Sequence, residues 1–199
     1  MSRLVTFGCS HTWGTGLPDV YPRVDDRPSN FAWPKILSNK LGYELDNRGT
    51  PGAGNAEILF NVLNYDFKEN DYCIIMWAHF VRFRHQVFTN NYQPLRRWIK
   101  PEHLTLEVME FFQQTNAYNN FLAFHHAYLY LKSKNIPSIT FMAEKVDYQE
   151  FNKPNFLDIP NLILINHGNY RLDNALDDMH FGIKSHEKLA DILYNKINT

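Results

Sequence analysis

Short apolar runs alternate with stretches of helical periodicity along this chain. The runs have the length and the β-branched or aromatic content of buried strands, and the stretches between them repeat apolar residues every three or four positions. Strands are predicted at residues 4–7, 43–47, 72–77, 136–142 and 162–165, and helices at residues 31–41, 55–65, 102–134 and 185–197. This alternation predicts an α/β fold: a flavodoxin-like three-layer α/β/α sandwich around a five-stranded parallel sheet.

The details of these segments refine the prediction. The unbroken apolar run from Tyr72 to Trp77 indicates a central strand that is buried on both faces. Ser29 or Asn30 is predicted to cap the helix over 31–41, and Gly42 to end it. The stretch 102–134 is either one long helix or a helix broken near Asn116. The final helix is amphipathic, with one apolar face formed by Leu189, Ile192, Leu193 and Ile197.

Length and charge limit the structural and functional classes to which this protein can belong. A chain of 199 residues suits a single domain over 1–199, in which residues 78–101 form an irregular aromatic and basic excursion. A hydrophobic fraction of 44% and a charged fraction of 21% are ordinary for a globular protein. The net charge of −1 provides no electrostatic basis for binding nucleic acid. No pattern in the chain indicates its oligomeric state.

Cys9 and Cys73 are the only cysteines, and each lies in or beside an apolar run. They predict buried, reduced thiols and no metal site, and the nine histidines show no ligand spacing. Residues 1–3 lead directly into the first strand, so no signal peptide is expected. No segment has the apolar length that a membrane span needs. We therefore expect a cytoplasmic protein.

A serine lies just beyond the first predicted strand. Gly8 allows a sharp turn, which would bring the hydroxyl of Ser10 to the carboxyl edge of the sheet, where sites form in such folds. A hydroxyl becomes a good nucleophile only when a base takes its proton. Serines after strands are more often simple helix caps, so Ser10 is a candidate nucleophile only if a base lies beside it.

An acid and a histidine precede the last predicted helix. Asp177 lies three residues before His180, a spacing that allows a carboxylate to orient an imidazole and to stabilise its protonated form. A polar turn before a helix explains the same residues equally well. Asp178 is an alternative acid.

Other histidines compete for the role of base. His11 neighbours the serine but is expected to point elsewhere, because successive side chains diverge. His125 and His126 lie in a helical stretch and need not reach the crevice. His167 follows the fifth predicted strand and is the best alternative.

Two further positions have the chemistry of oxyanion donors. Gly54 ends a glycine-rich loop and opens a helix, so its N–H is placed to bind a developing negative charge. His79 follows the third strand and offers a side-chain donor. An ordinary loop glycine and an ordinary surface histidine are the alternatives.

The order of these motifs resembles that of the SGNH/GDSL hydrolase family of esterases, lipases and acylhydrolases. Gly8-Cys9-Ser10 corresponds to the Gly-Asp-Ser of the family, Asn47 through Gly54 resembles its second block, and Asp177-x-x-His180 matches its Asp-x-x-His block. The resemblance implies the SGNH hydrolase fold, a catalytic triad of Ser10, His180 and Asp177, and no cofactor. It also implies an oxyanion hole formed by the N–H groups of Ser10 and Gly54 and by His79.

The chain departs from the family at two places. Cys9 replaces the acid before the serine, and Trp77-Ala78-His79-Phe80 replaces the third block, Gly-x-Asn-Asp. Losing one oxyanion donor costs on the order of a hundredfold in rate. We therefore expect a histidine donor at His79, a slow enzyme, or one tuned to a particular substrate.

The expected function is hydrolysis of a small or carbohydrate-linked acyl ester. Arg82, Arg84 and Tyr92 in the excursion are expected to contact a polar or carbohydrate substrate, and ordinary packing is the alternative. Two rival functions keep the same fold: an acyltransferase with the same triad, and a non-catalytic binding or accessory protein. A phosphate binder is disfavoured, because the first loop lacks the spacing of a phosphate cradle.

Overall fold

A computed structural model describes residues 2–22, 27–78, 106–142, 159–163, 165 and 167–198. Within the third range it describes side chains from residue 118 onward, and it does not describe the side chain of His167. Five strands form one parallel sheet in the order β2-β1-β3-β4-β5. They are β1 (Arg3–Gly8), β2 (Glu44–Gly49), β3 (Asp71–Trp77), β4 (Ser138–Met142) and β5 (Leu162–Ile163). The predicted flavodoxin-like parallel sheet is confirmed.

Helices cover both faces of this sheet. They are α1 (Ser10–Trp13), α2 (Trp33–Leu41), α3 (Asn55–Leu63), α4 (Leu106–Ser133) and α5 (Ile183–Ile197). Strand residues alternate between the two faces: Val5 and Cys73 pack in one apolar cluster with α3 and α4, and Leu4 and Ile74 pack in another with α2 and α5. Because β3 contributes to both clusters, its run is apolar throughout, as predicted for a central strand.

The start of α2 differs from the prediction. Its N-cap is Ala32, not Ser29 or Asn30. The Asp19 carboxylate accepts hydrogen bonds from the Ser29 hydroxyl and the Asn30 N–H, and Ser29 Oγ accepts from Phe31 N–H at 3.0 Å. These bonds form a separate turn ahead of the helix, which then begins two residues later than predicted. Gly42 ends the helix in a left-handed conformation, as predicted.

The last helix also begins at a different residue than predicted: it starts at Ile183, two residues before the predicted start at residue 185. The Asp173 carboxylate caps this helix from outside by accepting hydrogen bonds from the N–H groups of Lys184, at 3.1 Å, and Ser185, at 2.9 Å. An acid ten residues upstream is not a capping signal that local sequence reveals. α4 runs without a break past Asn116.

A buried histidine joins α2 to α5. His186 is fully buried, and its Nδ1 accepts a hydrogen bond from the Trp33 N–H at 3.1 Å. An accepting Nδ1 places the proton of the neutral ring on Nε2. Burial lowers the pKa of His186 to about 3, the nearby Asp173 raises it and His180 lowers it further. The ring is therefore neutral in the folded protein at pH values where an unfolded histidine is charged.

This burial predicts a loss of stability in acid. In the unfolded chain His186 is protonated below about pH 6.5, whereas in the folded chain it is protonated only below about pH 3. The free energy of unfolding should therefore fall as pH is lowered through that window, with a slope from this group approaching about 1.4 kcal/mol per pH unit. His186→Asn retains an acceptor for Trp33 but does not titrate, so chemical denaturation at pH 7, 6 and 5 should give a flatter slope for the variant.

The control is His125→Asn, because His125 lies exposed on α4. That variant should keep the pH slope of the wild type. Parallel slopes for the His186 variant and the wild type would contradict the prediction.

Candidate active site

The chain turns sharply between β1 and α1. Gly8 ends the strand, Cys9 is the N-cap, and Ser10 is the first residue of the helix. A Cβ on Gly8 would overlap the Thr12 side chain and lie 2.9 Å from the Met76 carbonyl oxygen, so only glycine lets the helix fold back this closely. Ser10 is consequently held at the carboxyl end of a central strand, with its side chain largely buried.

The end of β2 braces this short helix. Asn47 Nδ2 donates a hydrogen bond to the Thr12 carbonyl oxygen at 2.8 Å, and Asn47 Oδ1 accepts one from Gly49 N–H at 2.9 Å. Gly49 packs directly against the helix backbone, because a Cβ there would lie 2.7 Å from the Trp13 nitrogen. A four-residue helix has little stability of its own, so these contacts hold the Ser10 backbone in place.

Asp177 and His180 form a close pair on the loop before α5. Asp177 Oδ2 lies 2.6 Å from His180 Nδ1. Asp177 Oδ1 accepts hydrogen bonds from the backbone N–H groups of His180, at 3.0 Å, and Met179, at 3.1 Å. Both side chains are mostly buried. The carboxylate therefore organises the loop and orients the imidazole ring at the same time.

The electrostatics of this pair determine which ring nitrogen is free. Burial raises the pKa of Asp177, but hydrogen bonds from the His180 backbone N–H, the His180 ring and Met179 N–H outweigh it, and the net pKa lies below its usual value. An ionised carboxylate accepts only, so Nδ1 of His180 must carry the proton. The lone pair of the neutral ring is then on Nε2, which is the arrangement of a general base.

Two contacts join the serine segment to the acid–histidine loop. Leu176 N–H donates to the Gly16 carbonyl oxygen at 3.0 Å. The Asp177 carboxyl group fills the space above Gly16, because a Cβ there would lie 2.7 Å from Asp177 Cγ. The loop that follows the Ser10 helix thus packs against Asp177.

Aromatic stacking provides the second link. The His11 ring stacks on Phe181, with centroids 3.9 Å apart, and its centroid lies 5.1 Å from that of His180. His11 was expected to point elsewhere. It instead contacts the neighbour of the proposed base and the base itself. The residue that follows Ser10 therefore lies against His180, although β1 and α5 are at opposite ends of the chain.

The loop after β2 is tied to the end of β3. Gly54 is the N-cap of α3 and its backbone is extended, so its N–H stays outside the hydrogen bonding of the helix. Asn55 follows it, buried, and bonds to both backbone groups of Ala78: its Oδ1 accepts from Ala78 N–H at 2.8 Å, and its Nδ2 donates to Ala78 C=O at 3.1 Å. Nδ2 also donates to Asn120 Oδ1 on α4 at 3.0 Å.

Asp178, His125 and His126 are not part of this arrangement. Asp178 is exposed and has a left-handed backbone (φ 58°), and Asp177 rather than Asp178 contacts His180. His125 and His126 are exposed on α4. The predictions for His79, Arg82, Arg84 and Tyr92, and for the side chain of His167, lie outside the described residues.

Sequence reasoning overlooked the places of His11 and Asn55. Nothing in the local pattern around His11 indicates that Phe181, 170 positions later, completes its stack. The sequence indicated Asn55 only weakly. It begins a predicted helix directly after a glycine-rich loop, where an asparagine side chain often bonds to nearby backbone.

Within the described parts of the chain, no three His, Cys, Asp or Glu side chains gather as a metal site would require. No helix there has the length and apolar character to cross a bilayer. Both cysteines are buried and free.

Several solved structures share this fold over the whole chain. One, from Desulfitobacterium hafniense DCB-2, is named as a lipolytic protein of the G-D-S-L family; its TM-score is 0.53, at 11% identity over 98% of this chain and 99% of that one. The chain has the SGNH/GDSL hydrolase fold. A carbohydrate acetylesterase family member from Sinorhizobium meliloti has a TM-score of 0.56, at 12% identity over 100% and 98% of the two chains. The M. smegmatis aryl esterase has a TM-score of 0.55, at 11% identity over 100% and 99%. No protein-family model and no curated protein sequence matches the chain.

The SGNH/GDSL fold brings Ser10, Gly54 and Ala78 to one edge of the sheet. Ser10 and Ala78 lie just beyond the carboxyl ends of β1 and β3, and Gly54 ends the loop that follows β2. Parallel strands end at the same edge, which is where α/β folds form their sites. A cavity of about 100 Å³ opens beside Asp177, between Trp13 and Tyr21.

Proposed function

We propose that this chain is a serine ester hydrolase with Ser10 as nucleophile, His180 as general base and Asp177 as the acid that orients it. The observation that carries the proposal is the 2.6 Å contact between Asp177 and His180, on a loop packed against the helix that Ser10 begins. The SGNH/GDSL fold supports it, because the solved neighbours are esterases.

The proposed reaction begins at Ser10. Its Oγ attacks the ester carbonyl carbon while Nε2 of His180 accepts the hydroxyl proton. Asp177 keeps the proton of the ring on Nδ1 and stabilises the imidazolium. The protonated His180 then gives its proton to the leaving alcohol. A water, activated by the same histidine, releases the acid and regenerates Ser10.

The oxyanion of the tetrahedral intermediate needs hydrogen-bond donors. We assign this role to the N–H groups of Ser10 and Gly54, both of which lie outside the hydrogen bonding of their own helices. The side chain of His79, one residue beyond Ala78, is the proposed third donor. Arg82, Arg84 and Tyr92 remain proposed contacts for the part of the substrate beyond the ester.

The proposed substrate is a small acyl ester, free or linked to carbohydrate. The neighbours in support are named as a carbohydrate acetylesterase family member and an aryl esterase.

The test is covalent labelling with a fluorophosphonate, which reacts with activated serines. The wild type should gain one phosphonyl adduct, located at Ser10 by peptide mass spectrometry, and Ser10→Ala should gain none. The wild type should also hydrolyse p-nitrophenyl acetate. A folded wild-type protein that neither labels at Ser10 nor hydrolyses the ester would overturn the proposal and favour a non-catalytic binding role. Labelling without hydrolysis, with ester formation when an alcohol is added, would indicate an acyltransferase instead.

A further inference from the structure

Asn55 occupies an unusual position for a buried polar side chain. It is 3% exposed, opens α3 and bonds to the backbone of Ala78, which is itself fully buried. By accepting from the N–H and donating to the C=O of the same residue, its amide takes the place of a neighbouring strand at the point where β3 ends. The two chain segments are thereby held at one spacing.

The Asn55 side chain has no donor left for an oxyanion. An amide nitrogen has two hydrogens, and those of Nδ2 are directed to Ala78 C=O and Asn120 Oδ1. Oδ1 accepts from Ala78 N–H. Asn55 therefore acts through other residues of the protein and does not itself donate to the oxyanion.

One of the proposed oxyanion donors, the Gly54 N–H, lies directly before Asn55 in the chain. Ala78, to which Asn55 is bonded, follows β3, and β3 pairs with β1, the strand that leads to Ser10. We propose that Asn55 is a positioning residue that fixes the Gly54 N–H relative to the end of β3 and so sets its spacing from the Ser10 N–H, with Asn120 holding the Asn55 amide in the required orientation. This inference rests on the proposed function.

An error in this spacing would affect the transition state more than substrate binding. The negative charge on the carbonyl oxygen develops only as the bond to Ser10 forms, so misplaced donors lower kcat and leave KM nearly unchanged. A displacement of about 1 Å costs on the order of 10²-fold in rate. We expect kcat to fall by about that factor in Asn55→Ala, and by less in Asn120→Ala, which removes one bond of the three.

A comparison of oxygen and sulfur esters separates this role from general loss of structure. Sulfur accepts hydrogen bonds poorly, so a thionoester gains little from an oxyanion hole. The experiment measures kcat and KM for a p-nitrophenyl ester and its thiono analogue, for the wild type, Asn55→Ala, Asn55→Asp and Asn120→Ala. Thermal unfolding of each variant shows that it is folded. The matched control is Asn64→Ala, at the other end of α3, where an exposed Nδ2 donates to Phe60 C=O at 2.8 Å.

The inference predicts that the ratio of oxo to thiono rates falls in the Asn55 variants, because only the oxo reaction loses stabilisation, while Asn64→Ala keeps the wild-type ratio. If Asn55→Ala does not fold, Asn55→Asp decides, since it keeps the size and the acceptor for Ala78 N–H but loses the donor. An unchanged ratio and kcat in a folded Asn55 variant of an active protein would overturn this inference alone. A wild type without Ser10-dependent turnover would overturn the proposed function and this inference together.

Discussion

Ser10→Ala is expected to lower kcat for an activated short-chain ester by about 10⁶-fold. Alanine has no oxygen to attack the carbonyl carbon, and the remaining oxyanion donors and base act only on water. Alanine is a good helix former, so α1 and the turn at Gly8 should persist. Initial-rate kinetics with p-nitrophenyl acetate, together with circular dichroism to verify the fold, measure the effect.

The matched control is Ser38→Ala. Ser38 is also buried and also lies in a helix, but its hydroxyl donates to Lys35 C=O in α2, away from the Asp177–His180 pair. That variant should keep the wild-type kcat. If Ser10→Ala lost no more activity than Ser38→Ala, Ser10 would not be the nucleophile.

Asp177→Asn is expected to lower kcat by about 10⁴-fold. The amide that replaces the carboxylate can direct an N–H group at His180 Nδ1, which then accepts and shifts the ring proton to Nε2. The base would lose the lone pair that takes the proton of Ser10, and the imidazolium would lose its counter-ion. Measurement of kcat across pH, with the same ester, tests both consequences.

The adjacent acid provides a close control. Asp178→Asn makes the same chemical change one residue away, on an exposed side chain. It should leave kcat unchanged. Equal losses in the two variants would show that the effect comes from net charge or from the loop, and would remove Asp177 from its proposed role.

Much of the fold follows from local sequence. The run from Tyr72 to Trp77 predicts a central strand, and the strand is central, because burial on both faces requires apolar residues at every position. The spacing of Leu189 and Leu193 predicts one buried face of the last helix, and both residues are fully buried. Periodicity works here because it records burial directly.

The errors occur where hydrogen bonds between distant residues determine an element. Asp19 holds Ser29 in a turn and so delays the start of α2. Asp173 caps α5 from ten residues upstream. The helix α1 is too short for periodicity to reveal, and it is held by Asn47 and Gly49 of the neighbouring strand.

The sequence by itself determined the parallel α/β sandwich, and it marked Ser10, Asp177 and His180 as residues with the chemistry of a hydrolase. Only the tertiary structure decided that Asp177 and not Asp178 faces His180, that His11 links the serine segment to the base, and that Asn55 holds the end of β3. The physical reason is that apolar burial repeats along the chain, whereas a directed hydrogen bond or ring contact joins two atoms whose separation in sequence carries no period.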